Sequence, residues 1–401
     1  MSATTAQGRL VWLALAMGIF VGAASIRCLD AALPVIAGEF GRSIGTAGAV
    51  VTAYALSYSA LQLVAGPLGD RLGPYRVISW AALGSAVFAG GCALAATFEW
   101  LVVLRFLAGG VAAAIGPLTL LWVSHAAPDG ERAVAIANLT AASILGTTAG
   151  QVGGGLLSGF VGWRAVFVVI AVAFAVAGAV LVRAAGRHAQ LRNVGRREAD
   201  DRAAPSPMQL LRRRAVWLVL SAVGVEGFAL FMSFTYAAPL LQARHGVGSA
   251  GAGLLIALFG AGGVAFVMGA RAIVSRSSDG IRAAVAGMLA AAGLAALALG
   301  GPLALTAAAL FMLGFGFFML HNVIQLHATQ MAPDAPGTGI SLFAAMFFLS
   351  QAAGASIGGW LVDRAGTTLP FAASAVIIAG LGLVAGRAYS YQASTRWKAA
   401  K

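Results

Sequence analysis

The sequence predicts an all-α integral membrane protein of twelve transmembrane helices, arranged as two pseudo-symmetric six-helix bundles. Three observations predict it. The 401 residues are 60% hydrophobic and only 10% charged, against roughly 25% charged in an ordinary globular chain. Apolar runs of about 20 residues recur along the chain, each long enough as a helix to cross a hydrocarbon core of roughly 30 Å. These runs fall into two sets of six, divided by one strongly charged stretch, and the sets share a pattern of glycine and proline spacing.

The first set lies near residues 11–36, 45–66, 77–97, 101–124, 133–157 and 164–184. Its first run is too long, and wrongly flanked, for a cleaved signal peptide, so a retained helix is expected. Alternating segments of about ten residues, the mark of a membrane β-barrel, are not seen. Between the second and third runs, Gly66-Pro-Leu-Gly-Asp-Arg-Leu-Gly-Pro-Tyr-Arg76 reads as a tight polar reversal. The second set lies near 215–241, 250–270, 283–300, 303–327, 338–361 and 368–387. From Gly186 to Arg214, arginines, acidic residues and Pro205 and Pro207 interrupt any apolar run. The expected organisation is therefore an N-terminal bundle over 1–185, a linker over 186–214 and a C-terminal bundle with a short tail over 215–401.

Two independent matches relate the halves. Pro34, Gly41 and Gly48 recur at the same spacings as Pro239, Gly246 and Gly253. The run Ala149 to Leu157, with Gly150, Gln151, Gly154 and Gly155, corresponds to Ala353 to Leu361, with Gly354, Gly358 and Gly359, at an offset of about 204 residues. Such internal duplication is the architecture of alternating-access carriers, whose substrate sites lie near mid-membrane.

The net charge of +13 is distributed by loop. With the N-terminus placed in the cytoplasm, Arg9, Arg71, Arg76, Arg132, the linker arginines, Arg271, Arg276, Arg282, Arg387, Arg396, Lys398 and Lys401 share one side. Only Arg42, Arg164, Arg244 and Arg364 take the other. This is the positive-inside pattern and puts both termini in the cytoplasm. It explains the basic balance without nucleic acid. Cys28 and Cys92 lie in apolar runs and indicate neither a disulfide framework nor a metal site.

The loop Gly66-Pro67-Leu68-Gly69-Asp70-Arg71-Leu72-Gly73 resembles the signature between helices 2 and 3 of the major facilitator superfamily. Arg105-Phe-Leu-Ala-Gly-Gly-Val-Ala-Ala113 resembles its helix 4 signature, and Gly146 through Gly155 the glycine-rich helix 5 signature of its twelve-helix drug and metabolite proton antiporters. Trp163-Arg164 is similar to a further common element. The resemblance covers all twelve spans and implies the major facilitator fold. It also implies a proton-coupling role at Arg105, a conformational gate at Gly66, Asp70, Arg71, Gly73 and Arg76, and a bend in helix 5. Two departures stand out. Gln151 occupies the place of the proline that supplies that bend, and Ile273 stands where an acidic residue would align in the second-half copy of the loop.

Of the thirteen acidic residues, only Asp30 and Glu226 fall inside spans. A carboxylate at mid-membrane costs roughly 2.5–3.5 kcal/mol even on lenient insertion scales, so its retention marks a pathway or a paired site. Glu226 lies twelve residues beyond Arg214, about 18 Å up its helix and close to the bilayer centre. It is a candidate for proton coupling, or else a neutral acid bonded to a neighbouring helix. Asp30 sits nearer the outer end of span 1, three residues after Arg27 on the same face, either as a coupling group or as half of an anchoring ion pair. Arg105 keeps its proton at any relevant pH and is expected to face Asp30 or backbone carbonyls, the alternative being an arginine that snorkels to the head groups.

In span 10, His321, Asn322 and Gln325 place at least two polar groups on one face and suggest a cavity lining, although polar side chains also join membrane helices. Tyr58, Tyr236 and Gln62 are lesser cavity candidates. The glycines Gly146, Gly150, Gly154, Gly155, Gly354, Gly358 and Gly359, with Gln151, are assigned to helix bending and close packing. No Gly-x-x-x-x-Gly-Lys-Ser/Thr loop occurs, so ATP is not the expected energy source, and no nucleophile-and-base or metal-ligand constellation points to an enzyme. The reading is a monomeric, proton-coupled secondary transporter of the bacterial inner membrane, without cofactor or metal. It exports small organic molecules, its partners being that substrate, protons and the lipid bilayer. A proton symporter or uniporter that imports a metabolite is the first rival, and a non-transporting membrane receptor or scaffold the second.

Overall fold

The computed structural model describes residues 6–127, 131–187 and 207–399, which leaves most of the charged linker outside the described residues. Among the described residues, twelve long helices form the spans. They are α1 (Ala6–Arg27), α2 (Ala49–Leu72), α3 (Pro74–Ala93), α4 (Phe98–Ala112), α5 (Arg132–Phe160) and α6 (Trp163–Arg187). The second half supplies α7 (Arg214–Phe234), α8 (Ser249–Arg276), α9 (Asp279–Leu299), α10 (Leu303–Gln330), α11 (Pro336–Ala365) and α12 (Thr368–Ala399). Among the described residues, eleven spans are long and apolar enough to cross a membrane. The remaining long helix, α5, has 29 residues, about 43 Å, and is also long enough to cross.

Spans 1, 4 and 7 are broken. After α1 a turn and a 3-10 segment, Asp30–Ala32, lead into a short helix, Leu33–Glu39. Ile115–Ala126 continues α4, and Ala237–His245 continues α7. Each break frees carbonyl and amide groups that no longer have an intrahelical partner, and in a membrane such groups persist only where protein satisfies them.

The chain divides into two compact units, residues 1–42 with 49–203 and residues 43–48 with 204–401. In the first, α1 packs on α5, α2 on α4, and α3 on α6; in the second, α7 packs on α11, α8 on α10, and α9 on α12. The pairing scheme is thus the same in both. Gly146, Gly150 and Gly154 of α5 lie against the backbone of Phe20, Ala24 and Cys28, while Gly354 and Gly358 of α11 lie against that of Phe228 and Met232. Ala24 and Phe228, like Cys28 and Met232, are separated by the same 204 residues as the glycines they meet. Gly155 is buried in α5, and Gly359 packs against the Tyr236 hydroxyl in the second unit. Helix α5 runs unbroken through Gln151, which is buried within it.

The reversal expected over Gly66–Arg76 is confined to a single residue. Helix α2 continues through Gly66 and Arg71 to Leu72, and Gly73 alone turns the chain, at φ +89°, before Pro74 opens α3. Glycine takes that backbone at little cost, and proline suits a first helical position because its missing N–H would have no partner there. Gly66 faces open space, so the turn does not depend on it. Arg71 and Arg76 are exposed; the side chain of Asp70 lies outside the described residues.

In the second unit, Asp363 near the end of α11 accepts hydrogen bonds from the Ser43 hydroxyl (2.6 Å) and the Gly45 amide (2.9 Å). Ahead of α7, Arg213 grips Asp334 with two bonds of 2.6 Å. Those hydrogen bonds hold the Asp334 carboxyl below the usual carboxylate range. A depressed folded-state value means that the bridge stabilises above the ordinary carboxylate range and that this contribution is lost as pH falls through the depressed value. Asp334→Asn should therefore show a smaller loss of thermal stability than the unmodified chain when detergent-purified protein is taken from pH 7 to pH 3.

Candidate functional site

In the first unit the break in span 1 and the arginine of α4 form one centre. Because α1 ends at Arg27, the Ser25 carbonyl is among those released from the helix ladder. Arg105 takes it: Nη1 and Nη2 each donate to it at 3.2 Å, while Nε donates to the Val50 carbonyl at 3.1 Å. The guanidinium lies 4.1 Å from the centre of the Tyr54 ring, a cation over an aromatic face. Arg105 is only 1% exposed, so of the roles open to it the carbonyl-binding one is occupied and head-group snorkelling is not. Arg27 Nη1 stands 3.6 Å from Asp30 Oδ2, with both side chains buried. Tyr58 stacks on Tyr54 with ring centres 6.0 Å apart. Gln62 is buried on the same helix.

The second unit holds the other intramembrane carboxyl. Glu226 of α7 is fully buried, and its Oε2 lies 2.7 Å from His321 Nδ1 of α10. Whichever group holds the proton donates it: the carboxyl O–H to Nδ1 when the acid is neutral, the Nδ1–H to Oε2 when it is ionised. Glu226 Oε1 has no hydrogen-bond partner among the described residues. The imidazole is enclosed by Phe317 of α10 (5.5 Å between ring centres) and by Phe343 (5.5 Å) and Phe347 (5.0 Å) of α11. Water is thereby kept from the pair on those sides, and a pair in a low-dielectric setting interacts strongly. Asn322 and Gln325 are exposed one and four residues beyond His321. Tyr236 is placed elsewhere: it is completely buried and donates its hydroxyl hydrogen to the Ala355 carbonyl at 2.7 Å.

Each half thus carries a polar bond between its first and fourth spans, α1 with α4 and α7 with α10, although the residues differ. Sequence reasoning singled out Glu226 and His321 separately, without pairing them. It did not anticipate that His327 lies 3.2 Å from Asp279 and stacks on Tyr389 at 3.9 Å. Nor did it anticipate that Arg282 is buried, bound to Asp279 and to the carbonyls of Val274 (3.2 Å) and Ser277 (2.8 Å). The adjacent Trp163 and Arg164 hold Glu39, through the indole N–H at 2.7 Å and an ion pair at 2.6 Å.

Twelve duplicated helices, broken in spans 1, 4 and 7, with buried carboxyl groups and arginine at the breaks and mid-spans, define a multi-pass secondary transporter for small molecules. The chain belongs to the major facilitator superfamily: residues 15–355 match the family described as Major Facilitator Superfamily, a family of transporters and not of enzymes. It is 29% identical over 362 residues to the "Chloramphenicol resistance protein" of Streptomyces lividans, covering 88% of this chain and 89% of the relative. It is 35% identical over 170 residues to the "Multidrug efflux pump LfrA" of Mycolicibacterium smegmatis (strain ATCC 700084 / mc(2)155), covering 41% of this chain and 34% of that one. Among solved structures, its fold is similar to that of the nucleoside transporter NupG, with a TM-score of 0.76 at 13% identity over 95% of this chain and 99% of the other. It is also similar to a bacterial homologue of the human lysosomal transporter Spinster, with a TM-score of 0.73 at 17% identity over 97% and 98%.

Proposed function

We propose that this transporter exports small organic molecules in exchange for protons by alternating access, with the Glu226–His321 pair as its proton site. The observation that carries the proposal is a fully buried carboxyl bonded to an imidazole at 2.7 Å inside an aromatic enclosure. Such a pair holds one shared proton at low cost, whereas leaving one partner as an isolated buried charge is expensive. Taking up or releasing that proton changes which conformational state is favoured, provided the two states differ in affinity for proton and substrate. The names of the relatives, chloramphenicol resistance and multidrug efflux, support export. In this reading the protein is a monomer of the bacterial inner membrane with both termini in the cytoplasm, supported by the arginine distribution.

The test begins with a thermal-shift screen led by chloramphenicol, because a ligand of the native state raises apparent stability. Adding the selected compound to purified protein in weakly buffered detergent should release protons from the unmodified chain and none from Glu226→Gln. Unchanged release in that variant would remove Glu226 as the carrier. Everted vesicles with an acid lumen should accumulate the compound. The importing symporter keeps one supporting observation, Gln151 in place of the helix 5 proline, and it would fail to load those vesicles.

A further inference from the structure

A groove of about 490 Å³ runs along the outside of the first unit between α2, α3 and α4. Its walls are Leu61, Val64 and Leu68 of α2, Trp80 of α3, and Phe106 and Leu107 of α4. Gly84 and Gly110 also line it, packed against Val111 and Leu61 respectively, so that the three helices approach closely at the groove floor. Ser57 in the lining is fully buried and donates its hydroxyl hydrogen to the Tyr54 carbonyl (3.1 Å), and apart from the Trp80 indole N–H the other lining side chains are hydrocarbon. The occupant must therefore present hydrocarbon. Volume and lining fit the general range of small-molecule sites, and from Ser57 to Leu72 the groove follows α2 for about 22 Å at 1.5 Å per residue. One leaflet of a hydrocarbon core of roughly 30 Å is about 15 Å deep, so the groove accommodates an acyl chain along its length and continues to the interface.

The interfacial end fixes the chemistry. There the lining closes with Leu72 and Val77, and the residues next to them in the chain, Arg71 and Arg76, are exposed. Counting Asp70, the stretch Gly66–Arg76 has one more positive than negative charge. A site apolar along its length and cationic at the rim matches a lipid with an anionic head group. We propose that this groove is a binding site for an anionic phospholipid of the leaflet on the Arg71–Arg76 side, with one acyl chain along α2 and the phosphate at the two arginines. The site is separate from both buried charge centres, and the proposal stands whatever the substrate or coupling ion.

Trp80, 59% exposed in the groove wall, serves as the reporter. The unmodified protein and Trp80→Phe are reconstituted into phosphatidylcholine vesicles that contain, at matched mole fractions, either brominated phosphatidylcholine or brominated phosphatidylglycerol. The difference in tryptophan fluorescence between the two proteins isolates the Trp80 signal. Phosphatidylglycerol should quench that signal at a several-fold lower mole fraction than phosphatidylcholine. A basic residue near an anionic lipid surface is worth about 1 kcal/mol, roughly a fivefold preference for each arginine. The variant Arg71→Gln/Arg76→Gln should remain quenchable by both lipids but lose the preference. Equal quenching by the two lipids in the unmodified protein would mean ordinary lipid solvation and overturn the proposal. A preference that survives in the double variant would overturn it too, as would a Trp80 signal that neither lipid quenches.

Discussion

Arg105→Lys is expected to lower the stability of the purified transporter by about 3 kcal/mol and to cut its transport rate about tenfold or more. The charge is kept in this variant; the geometry is not. Arginine presents a planar fork of donors, while lysine offers a compact point charge on a flexible stem. Each of the three guanidinium nitrogens donates here, two to the Ser25 carbonyl and one to the Val50 carbonyl, and the face lies on Tyr54. A hydrogen bond from a charged donor contributes about 1.5–3 kcal/mol, and a buried acceptor left unpaired adds its own desolvation cost. An ammonium at this depth can reach one of the two carbonyls, so the other loses its charged donor, and the Ser25 carbonyl is held by at most one charged N–H in place of two. The same carbonyl lies at the break of span 1, so its loss also disturbs the segment that presents Arg27 and Asp30. A shift of about 1.4 kcal/mol in the balance between two states is a tenfold change in population. Thermal melting in detergent and uptake into vesicles check the two effects. A variant with unchanged melting and transport would show that the fork has no such role.

The sequence made the spans and the duplication visible because both are periodic properties of composition. Long apolar runs need no partner to be recognised, and the glycines of spans 5 and 11 keep one offset. In the structure that offset is a shared packing surface, since Gly150 and Gly354 meet backbone at Ala24 and Phe228. What was not legible is what depends on the rotation of one helix against another. Glu226 and His321 are 95 residues apart, and nothing local to either says that α7 and α10 face each other at that depth. The contacts of His327 are hidden for the same reason, because its partners Asp279 and Tyr389 come from α9 and α12. The reversal at Gly66–Arg76 was drawn too long because glycine and proline were both read as turn signals. Within a membrane, neighbouring groups satisfy the backbone and helices tolerate both residues, so α2 runs on past Pro67 to Leu72.

The duplicated glycines give the other large effect. Gly154→Ala in α5 and Gly358→Ala in α11 should each destabilise their own unit by about 2–3 kcal/mol, the upper part of the range for overpacking a close-packed site. A Cβ at Gly154 would run into the backbone of Cys28, and one at Gly358 into the backbone of Met232. Main chain cannot swing aside as a side-chain tip can, so the helices must separate, and the contacts on either side loosen with them. Between helices in a bilayer that close approach is itself the attraction, because lipid already solvates apolar side chains as well as another helix does. The neighbouring Gly153 is the control. A Cβ there meets nothing within 4 Å, so Gly153→Ala should be neutral or stabilising by about 0.5–1 kcal/mol through helix propensity alone. Melting curves of the three variants separate packing from propensity. If Gly154→Ala and Gly153→Ala behaved alike, α1 and α5 would not approach as closely as described. If Gly154→Ala and Gly358→Ala are matched, the two units rest on the same helix contact, inherited by duplication. Their functional difference then lies in the polar residues added to it: arginine reaching a broken helix in the first half, and a carboxyl bonded to imidazole in the second.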